Sequence, residues 1–259
     1  LAIFGAIALL VKTNSTSRGE GKNFSSHLTN EEVLLDSQAQ DKDAISQVKY
    51  HARQVTVRVK VGDNSGSGVL IGKENNRYQV ITNDHVILSA TEESYEVETV
   101  DGETYVANLV EDIDFSGEDL AILEFTNAKA NYAIAPFGDS EEIEIGQTVI
   151  AAGFPTENLT QNVAEALEIN EGKISLYPSQ ALAEGYQIGY TNSIQKGMSG
   201  GPLFNRKGEL IAINGMHAYP LWGDPYIYEN GEKPSPVVRE KMEQSSWAIP
   251  IQRVTTVFK

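Results

Sequence analysis

The strongest constraint on the fold is a long series of short strand-like segments with almost no helical periodicity between them. Residues 55–61 (VTVRVKV) alternate apolar and polar side chains, which is the period of a half-buried strand. Further strand candidates are separated by Gly, Pro, Asn and Asp turn signals; they lie at 67–72, 77–82, 94–100, 104–111, 119–125, 146–153, 172–176, 186–191, 203–205, 209–215 and 246–250. This pattern predicts an all-β barrel or sandwich rather than an α/β fold.

The N-terminal part differs in texture from the rest. Residues 1–11 are continuously apolar, with the length of a signal-peptide core and too few residues to span a bilayer, so we expect a signal peptide or an N-terminal anchor. Residues 12–48 read as a polar linker followed by a helical segment that Asn30 caps. The protein is accordingly expected to be exported, as a periplasmic, secreted or membrane-anchored protein.

Composition narrows the function classes. The net charge of −16 disfavours nucleic acid and anionic lipid as partners, because both would be repelled. The absence of cysteine from the sequence excludes disulfides, Cys-ligated zinc and a thiol nucleophile. The acidic run at 111–114 lacks the spacing of a calcium loop, so no metal site and no cofactor are expected.

One serine stands in a turn suited to nucleophilic chemistry. The segment 197–203 reads GMSGGPL, with Gly197 two residues before Ser199 and two glycines after it. Such a turn exposes the hydroxyl and lets nearby N–H groups point into the same space, which acyl transfer requires. Ser199 is therefore the candidate nucleophile, with an idle serine in a glycine-rich turn as the alternative.

The base and the acid are expected upstream of the serine. His85 follows the apolar strand 77–82 and is the candidate general base. Asp119 opens the apolar run 120–125, so its carboxylate enters the edge of the core, where an acid that orients an imidazole must lie. Asp112, Asp114 and Glu118 are nearby alternatives, and a solvated turn carboxylate is the competing interpretation of Asp119.

Residues around Ser199 also match the nucleophile elbow of another hydrolase fold, but the candidate acid and histidine come in the wrong order for that fold. Residues 197–201 match G-x-S-x-G, and the α/β-hydrolase fold needs an acid and a histidine after the serine. Only His217 follows Ser199, no aspartate lies between them, and helices do not alternate with strands. The elbow is therefore rejected.

These residues together resemble the trypsin-like serine peptidases, in the disulfide-free bacterial branch that includes the HtrA/Deg proteases. The resemblance covers about three quarters of the chain and is carried by SGSGVLI at 65–71, ITNDHV at 81–86, DLAIL at 119–123, GFP at 153–155, GMSGGPL at 197–203, GELIAIN at 208–214 and WAIP at 247–250. It implies the chymotrypsin fold, two six-stranded antiparallel barrels and a short C-terminal helix, within a peptidase domain at 49–259. Barrel 1 would occupy about 52–130 and barrel 2 about 140–250, with the site in the cleft between them.

The resemblance also assigns roles to individual residues. It implies a serine endopeptidase that acts on polypeptides through His85, Asp119 and Ser199, with an acyl-enzyme intermediate and an oxyanion hole formed by the N–H groups of Gly197 and Ser199. Ser193 and Ile194 would line one wall of the first specificity pocket, and Asn214 and Gly215 the other.

Two departures from the family pattern alter the expectations. Met198 stands where trypsin has an aspartate that binds a new N-terminal ammonium, so activation by N-terminal insertion is not expected. The chain stops at Lys259, so the PDZ domains of HtrA proteins are not expected.

Several alternatives stay open at this level. The 216–236 loop, rich in Tyr, Trp and Pro, is either a substrate lip or an aromatic cover on the barrel. A catalytically silent barrel that binds peptides is the competing function, and an enzyme held latent by the N-terminal segment is a third.

Overall fold

The structure is a computed structural model that describes residues 30–88, 94–140, 142–158, 162–218 and 224–257. Residues 1–11, expected to form a signal peptide or anchor, and most of the 12–48 segment lie outside these ranges. Among the described residues, no helix combines the length and the apolar character needed to cross a membrane.

Helix α1, Asn30–Val55, leads directly into the first strand. Its last turns bury Val48, Ala52 and Val55, which are spaced by four and three residues and so share one face. The ring of His51 meets the edge of Phe204 at 5.8 Å between centroids. The helix thus continues to Val55, where the sequence pattern already predicted a strand, because this apolar stripe packs on the second barrel.

The first barrel closes from six antiparallel strands in the order β1-β2-β3-β6-β5-β4. Their bounds are β1 Thr56–Val61, β2 Asn64–Glu74, β3 Arg77–Thr82, β4 Tyr95–Glu98, β5 Thr104–Leu109 and β6 Ala121–Thr126. A one-turn helix, α2 Asp84–Ile87, follows β3. The register pairs Thr82 with Ala121, so the residues after β3 and before β6 meet at one end of the barrel.

The second barrel closes in the order β10-β11-β12-β9-β8-β7. Its strands are β7 Thr148–Gly153, β8 Glu168–Leu176, β9 Ile188–Tyr190, β10 Pro202–Phe204, β11 Leu210–Met216 and β12 Ser246–Pro250. Helices α3 Val163–Ala166, α4 Pro236–Glu243 and α5 Ile251–Thr255 and the 3₁₀ turns Thr156–Asn158 and Ala183–Gly185 complete the elements. The fold expected from the sequence, two six-stranded barrels with a short C-terminal helix, is confirmed.

Helix α4 was not anticipated from the sequence. Ser235 caps it by accepting a hydrogen bond from the N–H of Val238, and Pro236 occupies the first turn, where its missing N–H costs nothing.

Candidate active site

Asp119 and His85 face each other at the end of the first barrel where β3 ends and β6 begins. The Nδ1 atom of His85 lies 2.6 Å from Oδ2 of Asp119, and the backbone N–H of His85 donates to Oδ1 at 2.8 Å. The Asp119 side chain is 6% exposed and the His85 side chain 49% exposed. The buried carboxylate of Asp119 therefore binds one edge of the His85 ring, while the rest of the ring is exposed to solvent.

Backbone contacts hold this pair in register. The Nδ2 group of Asn83, a fully buried residue in extended conformation, donates to the carbonyl of Asp119 at 2.7 Å. From the second barrel, the carbonyl of Glu184 accepts the N–H of Asp119 at 3.0 Å. Asp119 is thus fixed on both of its backbone groups.

The charges around His85 raise the pKa of its ring. Burial lowers this pKa, but the hydrogen bond and charge of Asp119, together with the charges of Glu184 and Asp84, raise it by more. The net result is a pKa above the usual histidine value of 6.5. With Asp119 ionised, Nδ1 carries the proton that it donates, which leaves Nε2 as the basic nitrogen.

Ser199 sits in a tight loop that only glycine-rich sequence allows. Gly197 and Gly200 have φ of +97° and +85°, in the left-handed region. A Cβ at Gly200 would overlap the carbonyl of Ser67 and the hydroxyl of Thr82. In the resting structure the Ser199 hydroxyl donates to the carbonyl of Gly215 at 3.1 Å.

Ser67, in β2, joins the nucleophile loop to the first barrel. Its N–H donates to the carbonyl of Ser199 and its hydroxyl to the carbonyl of Gly197, both at 2.8 Å. The same hydroxyl accepts the N–H of Phe154 at 2.8 Å. The sequence prediction did not include Ser67 among the site residues, since a serine in a strand carries no signal of its own.

The backbone N–H groups of Gly197 and Ser199, predicted as oxyanion donors, have no backbone acceptor in the described part of the chain. The carbonyl of Lys196 accepts the N–H of Thr156 at 2.8 Å, and that of Met198 accepts the N–H of Gly201 at 3.1 Å. Because N–H and C=O point in opposite directions across a trans peptide, both N–H groups are turned away from these partners. Their role as oxyanion donors stays a prediction.

Met198 fills the space beneath the loop. It is fully buried, its Cα and Cβ abut Gly153, and its sulfur accepts the N–H of Gln195 at 3.5 Å. This position therefore holds a buried thioether rather than a carboxylate, and the absence of activation by N-terminal insertion stays a prediction.

A cavity of about 650 Å³ opens over these groups. It is lined by His85, Asp119, Glu184, Tyr186, Ile194, Gln195, Lys196, Ser199, Gly215, Met216 and His217. Of the four residues predicted to bind substrate, Ile194 and Gly215 are on this wall. Glu184 and Tyr186 were not predicted, because they lie in an irregular segment more than sixty residues from Asp119 in sequence.

The other two residues predicted to bind substrate, Ser193 and Asn214, do not line this cavity. Ser193 is exposed, and its carbonyl accepts the side-chain amide of Asn170 at 2.8 Å. Asn214 is fully buried. Its side-chain oxygen accepts a hydrogen bond from the hydroxyl of Tyr190, and its Nδ2 group donates to the carbonyls of Ala152 and Pro202. The side-chain amide is therefore engaged in contacts within the second barrel.

The 216–236 loop divides in function. Met216 and His217, where β11 ends, line the cavity. Tyr226 is buried against Trp247, with Arg239 over its ring at 5.5 Å, so this part covers the barrel. Tyr219 and Trp222 lie outside the described residues.

Comparison with known proteins decides the family. The model of the trypsin-like peptidase domain matches residues 66–213, more than half of the chain. The chain belongs to this family. The match contains the strand that precedes His85, the segment with Asp119 and the loop of Ser199.

Named relatives of this trypsin-like peptidase domain are serine proteases. The chain is 34% identical over 154 residues to the serine protease Do-like HtrA of Bacillus subtilis, covering 59% of this chain and 33% of that protein. It is also 34% identical over 154 residues to the periplasmic serine endoprotease DegP of Escherichia coli, covering 58% and 29%. The chain thus matches about a third of the length of these relatives.

A solved structure shares the architecture. The crystal structure of the serine endoprotease from Yersinia pestis superposes with a TM-score of 0.58 at 26% identity, covering 82% of this chain and 64% of that one. The two-barrel arrangement is therefore similar in both proteins.

Proposed function

We propose that this domain is a serine endopeptidase that cleaves polypeptides through an acyl-enzyme. The observation that carries the proposal is the pairing of His85 with the buried Asp119 beside a cavity that Ser199 also lines. A base, its orienting acid and an exposed hydroxyl on one cavity are the set that acyl transfer requires. The names of the relatives, serine protease and serine endoprotease, support the same reaction class.

The first step moves one proton and forms one bond. The Ser199 hydroxyl leaves the carbonyl of Gly215 and gives its proton to Nε2 of His85 as its oxygen attacks the peptide carbonyl. Asp119 stays ionised and stabilises the imidazolium through Nδ1–H. The N–H groups of Gly197 and Ser199 donate to the oxyanion of the tetrahedral intermediate.

Collapse of that intermediate completes acylation and leads to hydrolysis. The C–N bond breaks, the amine leaves with the proton from His85, and the acyl group stays on Ser199. Water then attacks the ester, with His85 again taking and returning the proton, and the free carboxylate and Ser199 hydroxyl are released. No cofactor enters this scheme.

Export is a separate part of the proposal. It rests on the apolar residues 1–11 of the sequence and on relatives named periplasmic. We infer that the substrates are polypeptides outside the cytoplasm.

The test is covalent labelling of the full chain with a fluorophosphonate probe, followed by mass mapping of the modified peptide. We expect the label on Ser199 and cleavage of an unfolded polypeptide such as reduced casein. Ser199→Ala should abolish both, and Asp119→Asn should slow both by about 10,000-fold, the loss expected when the imidazole is held in the wrong tautomer. A folded chain that takes no label would instead support the silent peptide-binding barrel.

A further inference from the structure

A tyrosine of the second barrel meets the acid of the first. Tyr186 lies two residues before β9 and is 5% exposed. Its hydroxyl donates to Oδ2 of Asp119, the oxygen that also faces Nδ1 of His85. Burial, followed by the charge of Asp119, raises the pKa of this phenol well above its usual value of 10, so the hydroxyl keeps its proton and stays a donor.

The structure makes room for this contact at Gly215. A Cβ at that position would overlap the Tyr186 hydroxyl and come within 2.6 and 2.7 Å of two ring carbons. Any side chain in place of Gly215 would therefore push the phenol away from Asp119.

The backbone before Tyr186 also contacts Asp119. Glu184 and Gly185 adopt φ of +61° and +87°, and a left-handed conformation is strained for a glutamate. This turn places the carbonyl of Glu184 on the N–H of Asp119 at 3.0 Å. The second barrel thus holds Asp119 twice, once on its backbone and once on its carboxylate.

We propose that Tyr186 is a positioning residue of the site: its hydroxyl fixes the Asp119 carboxylate in the orientation that accepts both N–H groups of His85. Because Tyr186 and Ser199 belong to one barrel and Asp119 and His85 to the other, the same bond fixes the acid and base relative to the nucleophile. The inference rests on the proposed peptidase function and adds a residue to its machinery.

The expected consequences follow from the chemistry of a buried carboxylate. Without the phenol, Oδ2 loses one of its two donors and the carboxylate is free to turn away from the imidazole. The ring then loses part of the hydrogen bond and charge of Asp119 that raise its pKa, so the pKa of His85 falls. The other charged groups that act on His85, Asp84 and Glu184, are unchanged by this substitution.

The experiment compares Tyr186→Phe with Tyr132→Phe in the full chain. Tyr132 is the matched control, since its buried hydroxyl donates to the carboxylate of Asp101 at 2.9 Å in the first barrel, among groups that do not touch the site. Two quantities are measured: the fluorophosphonate labelling rate at the high-pH plateau, and the pKa of His85 by NMR titration of the ring resonances.

For Tyr186→Phe we expect labelling to slow by about 10-fold, the size of a lost hydrogen bond to a charged group, and the pKa of His85 to fall. Tyr132→Phe should leave both unchanged. Unchanged rate and pKa in Tyr186→Phe, or the same changes in Tyr132→Phe, would overturn the inference.

A variant that does not fold and an unmodified chain that takes no label are both informative. If Tyr186→Phe does not fold, Gly215→Ala, which displaces the hydroxyl sterically, must slow labelling and shift the pKa of His85; retention of both values overturns the inference. Failure of the unmodified chain to label refutes the peptidase proposal, and the histidine titration then still judges the Tyr186 contact by itself.

Discussion

The substitution Gly153→Ala tests how tightly the position of the nucleophile is held. Gly153 ends β7 directly beneath the loop of Ser199, and its φ is not in the left-handed region, so alanine is allowed by the backbone. The added Cβ would lie 2.7 Å from Cβ and 2.8 Å from Cα of Met198, whereas ordinary contact begins at 3.4 Å. Because one of these atoms is backbone, the loop itself must move, by roughly 0.5 Å in a close-packed interior.

That shift is transmitted to Ser199, the next residue. The N–H of Met198 is held by the carbonyl of Gln195 and its carbonyl by the N–H of Gly201, so the loop moves as a unit. A displacement of about 1 Å in a catalytic geometry costs on the order of 100-fold in rate, so we expect labelling of Ser199 to slow by about 10-fold. Overpacking costs about 1–3 kcal/mol, partly offset by about 0.4–1 kcal/mol from the less flexible unfolded chain.

The control is Gly138→Ala, in which the added Cβ meets side-chain atoms of Glu209 and Ile211 at 2.9 and 3.0 Å. Both variants are compared by urea unfolding and by the labelling rate with the fluorophosphonate. We expect similar losses of unfolding free energy and a slow labelling rate only in Gly153→Ala. Equal labelling rates in the two variants would refute the argument, because the loop would then absorb the crowding without moving the nucleophile.

Two other predictions concern charge. Although burial lowers the pKa of His85, the net pKa is above 6.5, so the labelling rate should decline on acidification through a pKa above 6.5. Glu184→Gln removes a negative charge near the ring and should move that decline to lower pH. A pH–rate profile that does not move in Glu184→Gln would contradict this assignment. Arg58 is buried against Glu98, which Lys60 also contacts at 2.9 Å. Arg58→Met should therefore change the unfolding free energy by about 1 kcal/mol or less, because Glu98 stays paired with Lys60. Arg58→Ala should lower the unfolding free energy by about 2–5 kcal/mol, because it opens a cavity. Equal losses of unfolding free energy on urea denaturation would show that the charge of Arg58 matters more than its volume.

Much of the architecture was readable from local pattern. Alternation over residues 55–61 predicted a strand, and β1 forms over Thr56–Val61. The polar face of this strand is also buried at Thr56 and Arg58, which alternation alone does not reveal. The prediction was wrong at the end of helix α1, which extends to Val55, and it did not include helix α4, Pro236–Glu243. Helix α1 continues because its apolar face finds a surface to pack on, which no local pattern reveals.

Which acid faces His85 depended on the register of the barrel. Glu118 precedes Asp119 by one residue, yet its carboxylate pairs with Arg253 at 2.7 Å, while Asp119 turns to the imidazole. The pairing of Thr82 with Ala121 sets this choice, since it brings the residues after β3 next to those before β6.

The linear order of residues by itself determined the strand-rich fold and the His85, Asp119 and Ser199 candidates, because periodicity and short motifs are local properties. Only the closed barrels brought Ser67, Glu184 and Tyr186 against the nucleophile loop or the acid. Their partners are distant in sequence, and a single hydroxyl or carbonyl has no pattern of its own. The tertiary structure decides such contacts because it alone decides which buried polar groups must satisfy one another.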